Sequence, residues 1–333
     1  MFVEVDYSQQ QKAGNEICGD VFLSHKIKAE NRTLVILSDG LGSGVKANIL
    51  ATMTASMALN FMKANSPIEH TAKIIMNTLP VDSFRKISFS SFTILDIEGN
   101  HHVKLIEYGN PAVLIKKENG FYEPEKTEVR IPHHKVKQKL FTASFETSLN
   151  DRIMLYSDGI TQSGMGRITM PFGWGRDHLM EYLNEAVDAD RDCSAGKLSK
   201  NIVTRAMKND GYAALDDMTC GMVYFRQPRK ILFCTGPPYN PEKDRYLAQQ
   251  IEQFEGNKII SGGTTACIVA RELQKEIDVQ VDDSHMELPP ASNMEGIDLV
   301  TEGILTLGKV SEYLEQYNQL KNRIPGPAGK IIS

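Results

Sequence analysis

Aspartates stand at the ends of several β-prone runs in this chain. Asp20 opens DVFLSHKIK after Cys18-Gly19, and Asp39 closes RTLVILS ahead of Gly40. Asp158 closes DRIMLYS ahead of Gly159, and Asp216–Asp217 open MTCGMVYF. Strand ends can gather carboxylates from distant parts of a chain at one edge of a sheet. Hard divalent cations such as Mg²⁺ and Mn²⁺ take several oxygen ligands, usually completed by water. A glycine after the aspartate lets the backbone carbonyl turn to a metal without interference from a Cβ. Asp-Gly is also ordinary turn chemistry. The repeated Ser-Asp-Gly at 38–40 and 157–159 follows an apolar run each time, where a solvated turn needs only one polar residue. Spacing alone leaves turn and metal site both open.

Such carboxylates need elements to hold them. Residues 20–28 and 32–38 read as strands joined by a short polar turn. After the LGSG corner a helix is expected over 45–63. Its apolar residues Ile49, Leu50, Met53, Met57 and Phe61 recur at three- and four-residue spacing, which predicts one buried face. A second helix is expected over 67–79. SFTILDI and HVKLIEYG flank the turn EGN as one hairpin, and PAVLIKK and FYEP flank ENG as another. KLFTASF and DRIMLYS read as strands, 176–187 and 194–208 as helices, and MTCGMVYFR as a closing strand. Long antiparallel runs segregated from helices predict an α+β domain with helices covering sheet faces. The pattern changes near Arg226-Gln227-Pro228-Arg229. Beyond it KILFCTGPP and NKIISGG read as strands, TTACIVARELQKE as a helix and VQVDD as a third strand. That is a small α/β module. A last helix, KVSEYLEQYNQLKNR, precedes a PGPAG tail. The expected division is 1–226, 229–325 and a flexible tail over 326–333.

The chain has 333 residues, 41% of them hydrophobic, enough for a substantial core without covalent staples. A net charge of −5 disfavours nucleic acid and anionic membranes as partners. It does not disfavour phosphorylated substrates, because a metal can supply the local positive charge. The five cysteines are scattered with no C-x-x-C pair, which suits free thiols in a reducing cytosol. The segment MFVEVDYSQQQK has no basic or apolar region of a signal peptide, and 49–62 is too short and polar to span a bilayer. A cytoplasmic protein is therefore expected.

GNEICGD, VILSDGLGSGVKA, EYGNPAVLI, IMLYSDGITQ and LDDMTCGMVYF occur in that order between residues 14 and 225. Together they resemble the PPM-type, or type 2C, metal-dependent serine/threonine phosphatases, and specifically their bacterial SpoIIE-like branch. The resemblance covers residues 1–226 and stops before the C-terminal module. It implies two packed antiparallel sheets flanked by helical layers, with a two-metal site, Mn²⁺ or Mg²⁺, at one end. It also implies that Asp39 bridges both metals while Gly40 gives one a backbone carbonyl. Asp158 and Asp216 then hold the other metal, and Asp20 acts near the second, directly or through water. Asp217 stands behind these ligands, where many relatives have Asn. Gly19 stands where many eukaryotic relatives have an acidic residue, a departure shared with the SpoIIE-like branch that bears on the second metal. The implied reaction is in-line attack on a phosphoserine or phosphothreonine by a metal-activated water, with no covalent intermediate.

Other residues admit competing readings. Cys18 reads as a small buried residue rather than a nucleophile. Eukaryotic relatives hold the phosphate with an N-terminal Arg. No Arg precedes Arg32 here, so Lys12 is either its substitute or a solvated surface lysine. His101–His102 and His133–His134 read as surface or edge-strand residues. The helix over 45–63 is either a mobile regulatory element or an ordinary cover. In the C-terminal module Gly262, Gly263 and Thr264 form a glycine turn at a helix start, which favours an anion. Gly236-Pro237-Pro238 is expected to line the same edge, with Asp282, Asp283 and Glu295 adding acidity nearby. The competing reading is a structural turn beside a dimerisation or docking surface. No Gly-Lys-Ser/Thr follows, so this is not a Walker loop. The expected function is a bacterial regulatory phosphoprotein phosphatase with an activating partner or homodimer. The alternatives are a phosphoprotein-binding scaffold and a hydrolase of a small phosphoester.

Overall fold

A computed structural model describes residues 1–78, 90–133, 136–279 and 291–315. The chain divides into two compact units, Met1–Gln227 and Pro228–Ser333. The first unit contains β1 (Phe2–Gln10), β2 (Asp20–Ile27), β3 (Arg32–Gly40), α1 (Val45–Lys63), α2 (Ile68–Thr78), β4 (Ser90–Glu98) and β5 (His102–Tyr108). It continues with β6 (Leu114–Lys117), β7 (Gly120–Tyr122), β8 (Thr127–His133), β9 (Val136–Glu146), β10 (Arg152–Tyr156) and α3 (Asp158–Gln162). It closes with α4 (Arg176–Ala189), α5 (Ala195–Asn209) and β11 (Met218–Arg226).

These strands form two antiparallel sheets, ordered β1-β11-β10-β6-β7 and β2-β3-β4-β5-β9-β8. Strand residues alternate between faces, so each central strand feeds two cores. In β3, Val35 and Leu37 join Leu95, Leu105, Ile153 and Val223 between the sheets. Leu34 and Ile36 turn the other way, onto Ala55, Ala58 and Met62 of α1 and Ile75 of α2. On the far side Met154, Tyr156 and Met222 pack beneath Leu179 and Leu183 of α4 and Ile202 of α5. The unit is a sandwich of helices, sheet, sheet and helices, the expected α+β class.

The helix over 45–63 forms, but its buried face is not the predicted one. Ala47, Ala51, Thr54, Ala55, Ala58 and Met62 face the sheet, whereas Ile49 and Met53 are 52% and 46% exposed. A ridge of mostly small side chains lets the helix backbone settle close to β3, leaving Ile49 and Met53 outside while Met57 of the predicted face packs partly against the core. Two strands were not anticipated: β1 and β8. Asp158 does not close a strand either, because β10 ends at Tyr156 and Asp158 begins α3. Likewise Asp216 and Asp217 precede β11 rather than opening it.

The second unit contains β12 (Ile231–Thr235), α6 (Asp244–Gln253), β13 (Asn257–Ser261), α7 (Gly263–Leu273), β14 (Ile277–Val279), β15 (Ser292–Met294), β16 (Ile297–Thr301) and α8 (Ile304–Glu315). Its sheet runs β12-β13-β16-β15-β14, with β12, β13 and β16 parallel. Its core joins Ile251, Ile260, Val269 and Val300. The helix α6 and the strands β15 and β16 were not anticipated, and α8 starts before the predicted Lys309. Asp282, Asp283 and the PGPAG tail lie outside the described residues. Among the described residues, no helix is long and apolar enough to cross a membrane.

Candidate metal centre

Antiparallel pairing of β2 with β3 sets Asp20 directly opposite Asp39. Asp39 in turn lies opposite Ser91 at the start of β4, whose neighbour Ser90 donates its hydroxyl to the Asp39 carbonyl at 2.9 Å. Asp20 reaches across to the other sheet, where the Thr219 hydroxyl of β11 donates to its Oδ2 at 2.7 Å. Gln9 of β1 donates to both Thr219 Oγ1 and the Asp20 carbonyl, at 3.0 and 3.3 Å. The sheets are thus stitched together where the aspartates meet.

Asp158 sits on the first turn of α3, and Gln162 one turn later donates to its Oδ2 at 2.8 Å. Asp216 and Asp217 lie just ahead of β11, and Asp216 Oδ1 accepts the Asp217 N–H at 3.0 Å. Asp217 is buried. Its Oδ1 accepts the Lys12 N–H at 2.9 Å, while its Oδ2 has no partner.

The two Ser-Asp-Gly glycines are required by packing. A Cβ on Gly40 would lie 2.1 Å from the Ala47 carbonyl oxygen of α1, and one on Gly159 would lie 2.1 Å from the Asp217 carbonyl oxygen. Gly40 therefore lets the Asp39 segment press against the start of α1, and Gly159 lets the Asp158 segment press against the Asp216–Asp217 segment. Gly19 follows the same logic. A Cβ there would lie 2.7 Å from Asp217 Oδ2, so the Asp217 carboxylate fills the space a side chain at 19 would need.

The electrostatics are those of crowded like charges. Burial, and then repulsion from Asp20, Asp158 and Asp216, pushes the Asp39 carboxyl up to about 9. Burial is also the chief cause for Asp20, pushed up to about 6 against the hydrogen bonds from Thr219 and Ser157. Asp158 is raised by burial and by Asp216. The nearby cation is Lys12, whose Nζ lies 3.8 Å from Asp216 Oδ1.

Among the described residues, no three His, Cys, Asp or Glu side chains form a closed metal cage. Like charges in a low-dielectric site spread apart, and a cation would have to draw them together. The donor set nonetheless fits a hard cation. It is all oxygen, Asp39 is under the repulsion of its neighbours, and Asp217 keeps a buried carboxylate oxygen without a hydrogen-bond partner.

The remaining candidates fall elsewhere or lose their chemistry. Burial, with Asp20 and Asp217 close by, drives the Cys18 thiol far above its ordinary range, so it is no thiolate nucleophile. Arg32 is locked in a buried two-point ion pair with Asp96, at 2.7 and 2.8 Å. It lies about 23 Å along β3 from Asp39, at roughly 3.3 Å per residue. His102 pairs with Glu146 at 2.7 Å at that same far end of the sheet. His134 and the side chain of His133 lie outside the described residues. In the second unit Gly262 (φ +125°) precedes α7 with no side-chain cap, Gly263 opens the helix, and Thr264 is exposed. Parallel pairing of Thr235 with Ser261 sends Gly236-Pro237-Pro238 and Gly262 off the same sheet edge. Glu295 lies in the turn between β15 and β16.

Sequence reasoning missed Gln9, Thr219 and Gln162. Gln162 carried a signal, because a residue four along a helix from an aspartate shares its face. Gln9 carried none, since its role depends on β1 pairing with a strand more than two hundred residues away.

A search of the curated proteins gave no match. Among solved structures, the PP2C phosphatase domain with a fragment of the regulatory domain of SpoIIE from Bacillus subtilis has a TM-score of 0.57 at 16% identity, over 69% of this chain and 64% of that one. The chain thus spans less than two thirds of that protein's length. The RsbU and RsbW domains of a Mycobacterium tuberculosis protein give 0.55 at 14% identity, over 75% and 68%. A serine/threonine phosphatase of S. agalactiae gives 0.50 at 12% identity, over 68% and 100%. These likenesses show a shared PP2C-type fold. The family model of Stage II sporulation protein E (SpoIIE) matches residues 29–226, more than half of the chain, and with the sandwich and its acidic edge in place this chain belongs to the SpoIIE family.

Proposed function

We propose that the first unit is a metal-dependent phosphoserine/phosphothreonine protein phosphatase acting in bacterial regulation. The observation that carries this reading is the convergence of Asp20, Asp39, Asp158 and Asp216 at one end of the sandwich, so crowded that Asp39 holds its proton to about 9. Such crowding is costly in a structure whose carboxylates serve no cation.

Asp39, Asp158 and Asp216, with Asp20 and the Gly40 carbonyl, are the groups that would hold two divalent cations, Mn²⁺ or Mg²⁺. When bound, such cations supply an acidified water and positive charge against the phosphate oxygens. The chain's own groups do the positioning. Thr219 and Gln9 orient Asp20, Gln162 orients Asp158, and the Lys12 N–H orients Asp217. Lys12 Nζ brings an exposed positive charge to the rim of the site, where it can meet a phosphate as its substrate arrives.

The test is hydrolysis of p-nitrophenyl phosphate and a phosphoserine peptide by the full chain with Mn²⁺, with and without chelator. Chelator should abolish both activities, and Asp39→Asn should lower them by at least about three orders of magnitude while the protein stays folded. Chelator-resistant turnover would overturn the reading. Tight Mn²⁺ binding with phosphopeptide capture but no turnover would make the unit a phosphoprotein-binding scaffold. Turnover of small esters alone would make it a metabolite hydrolase.

A further inference from the structure

A cavity of about 460 Å³ opens between the loop after α3 and the outer faces of α4 and α5. Its floor is Trp174, 3% exposed and packed edge-on against Tyr182 at 5.5 Å between ring centroids. Phe172 stands at its mouth, 88% exposed, a large aromatic ring with almost nothing packed on it. One face of α4 closes a side, because Glu181 and Glu185 lie one turn apart and both line the cavity. Both carboxylates are exposed, and among the described residues neither has a basic partner. Arg205, the cation of the opposite wall, is turned inward over the rings of Trp174 and Tyr182, at 6.0 and 5.8 Å. The mouth is therefore aromatic and net acidic.

The cavity is joined to the acidic centre through a short path. The Gly175 N–H donates to the Thr161 carbonyl of α3 at 2.9 Å. A Cβ on Gly173 would lie 2.6 Å from that same oxygen, so the wall of the cavity rests directly on α3. That helix begins with Asp158 and carries the Gln162 that orients it.

We propose that this cavity is a docking site for a segment of the phosphoprotein substrate that carries a large apolar side chain next to a lysine or arginine. The assignment of the segment's owner rests on the phosphatase reading above. A volume of this size suits one or two side chains rather than a folded domain. An apolar side chain against Trp174 and Phe172 supplies affinity by leaving water, and aromatic walls add favourable contact. The unpaired Glu181 and Glu185 supply selection by charge, which steers a basic segment and repels an acidic one.

Trp174 is the single tryptophan of the chain, so its emission reports on this cavity directly. The experiment titrates the full chain, in chelator so that nothing is hydrolysed, with two series of phosphoserine peptides. One series carries a Leu-Arg pair at spacings of about three to nine residues from the phosphoserine, the other Leu-Glu at the same places. A saturable change in emission is expected with Leu-Arg at one or more spacings, at least about tenfold tighter than with Leu-Glu. The double variant Glu181→Gln/Glu185→Gln should lose that preference, and Phe172→Ala should weaken both series. Turnover of p-nitrophenyl phosphate with Mn²⁺ should be unchanged in both variants, which also shows that they fold. No response at any spacing, an equal response to both series, or an undiminished preference in the double variant would overturn the proposal. A response to small metabolites but to no peptide would also overturn it. The two readings fail separately, since peptide docking without turnover sinks the phosphatase and the owner it gives the segment but leaves the site and its preference, and turnover without docking sinks only this site.

Discussion

A carboxylate buried among other carboxylates keeps its proton well above the usual range, and Asp39 is held there by burial and by its three acidic neighbours. The consequence for stability has a definite sign. The folded state binds a proton at Asp39 up to about 9, while an unfolded chain releases it near the ordinary 3.8. The metal-free protein therefore loses stability as pH rises through that window. In chelator, the melting temperature should fall between about pH 6 and pH 9. Asp39→Asn should flatten the fall and be the more stable protein at the alkaline end. Mn²⁺ should also remove the fall, because a cation takes the place of the proton. Parallel pH profiles for the wild-type and Asp39→Asn proteins would show that Asp39 does not bear this strain. Asp217 offers a separate check. Its unpartnered Oδ2 stands against Gly19, at the place where a side chain on that glycine would lie. Asp217→Asn keeps the shape and removes the charge. Loss of a group that supports the ligands typically costs about 10–100-fold in metal affinity. Calorimetric Mn²⁺ titration should show a drop of that order, with the melting temperature in chelator unchanged or raised.

At the scale of elements, the site is made by close backbone contacts. Gly40→Ala would drive a methyl group into the Ala47 carbonyl of α1, and Gly159→Ala would drive one into the Asp217 carbonyl. Overpacking costs about 1–3 kcal/mol in general, and a backbone partner has little room to yield. Thermal melts should show both variants destabilised by at least that amount, with weakened Mn²⁺ binding. Gly263→Ala is the control, because nothing lies within 4 Å of its Cβ position and it sits in a helix. It should melt like the wild type. The same packing explains what could be read from the sequence. The strands β3, β4, β10 and β11 have both faces covered, so their sequences carry apolar runs that announce themselves. The edge strand β1 buries only Val3 fully and exposes Tyr7, so it looks like loop, yet it delivers Gln9 and Lys12 to the site. In α1 the periodicity of Ile49 and Met53 marked a real helix but the wrong face, because apolarity does not reveal that close approach to β3 demands alanine. The acidic residues were legible as types at strand ends. That Asp158 starts a helix, and that Asp217 presses against Gly19, depend on contacts across the chain.

At the scale of the whole molecule, each unit has its own core among the described residues. The clusters between and outside the large sheets are drawn from residues up to Tyr224 and Phe225, and the cluster around Ile260 and Val300 begins at Ile251. The boundary at Gln227 follows directly on the last residue of β11, a central strand of its sheet. A cut there severs no strand and removes no residue of the acidic centre. A chain of about 230 residues can also bury enough surface to fold alone. Residues 1–227, produced by themselves, should therefore unfold in one cooperative transition and bind Mn²⁺ with the stoichiometry of the full chain. Hydrolysis of p-nitrophenyl phosphate by this piece then separates scaffold from control. Activity equal to the full chain's would leave the second unit to act on partners or location. Activity altered severalfold, with metal binding intact, would make the second unit a regulator of the first. A piece that cannot fold while the full chain does would overturn this expectation, showing that the first core depends on residues beyond 227.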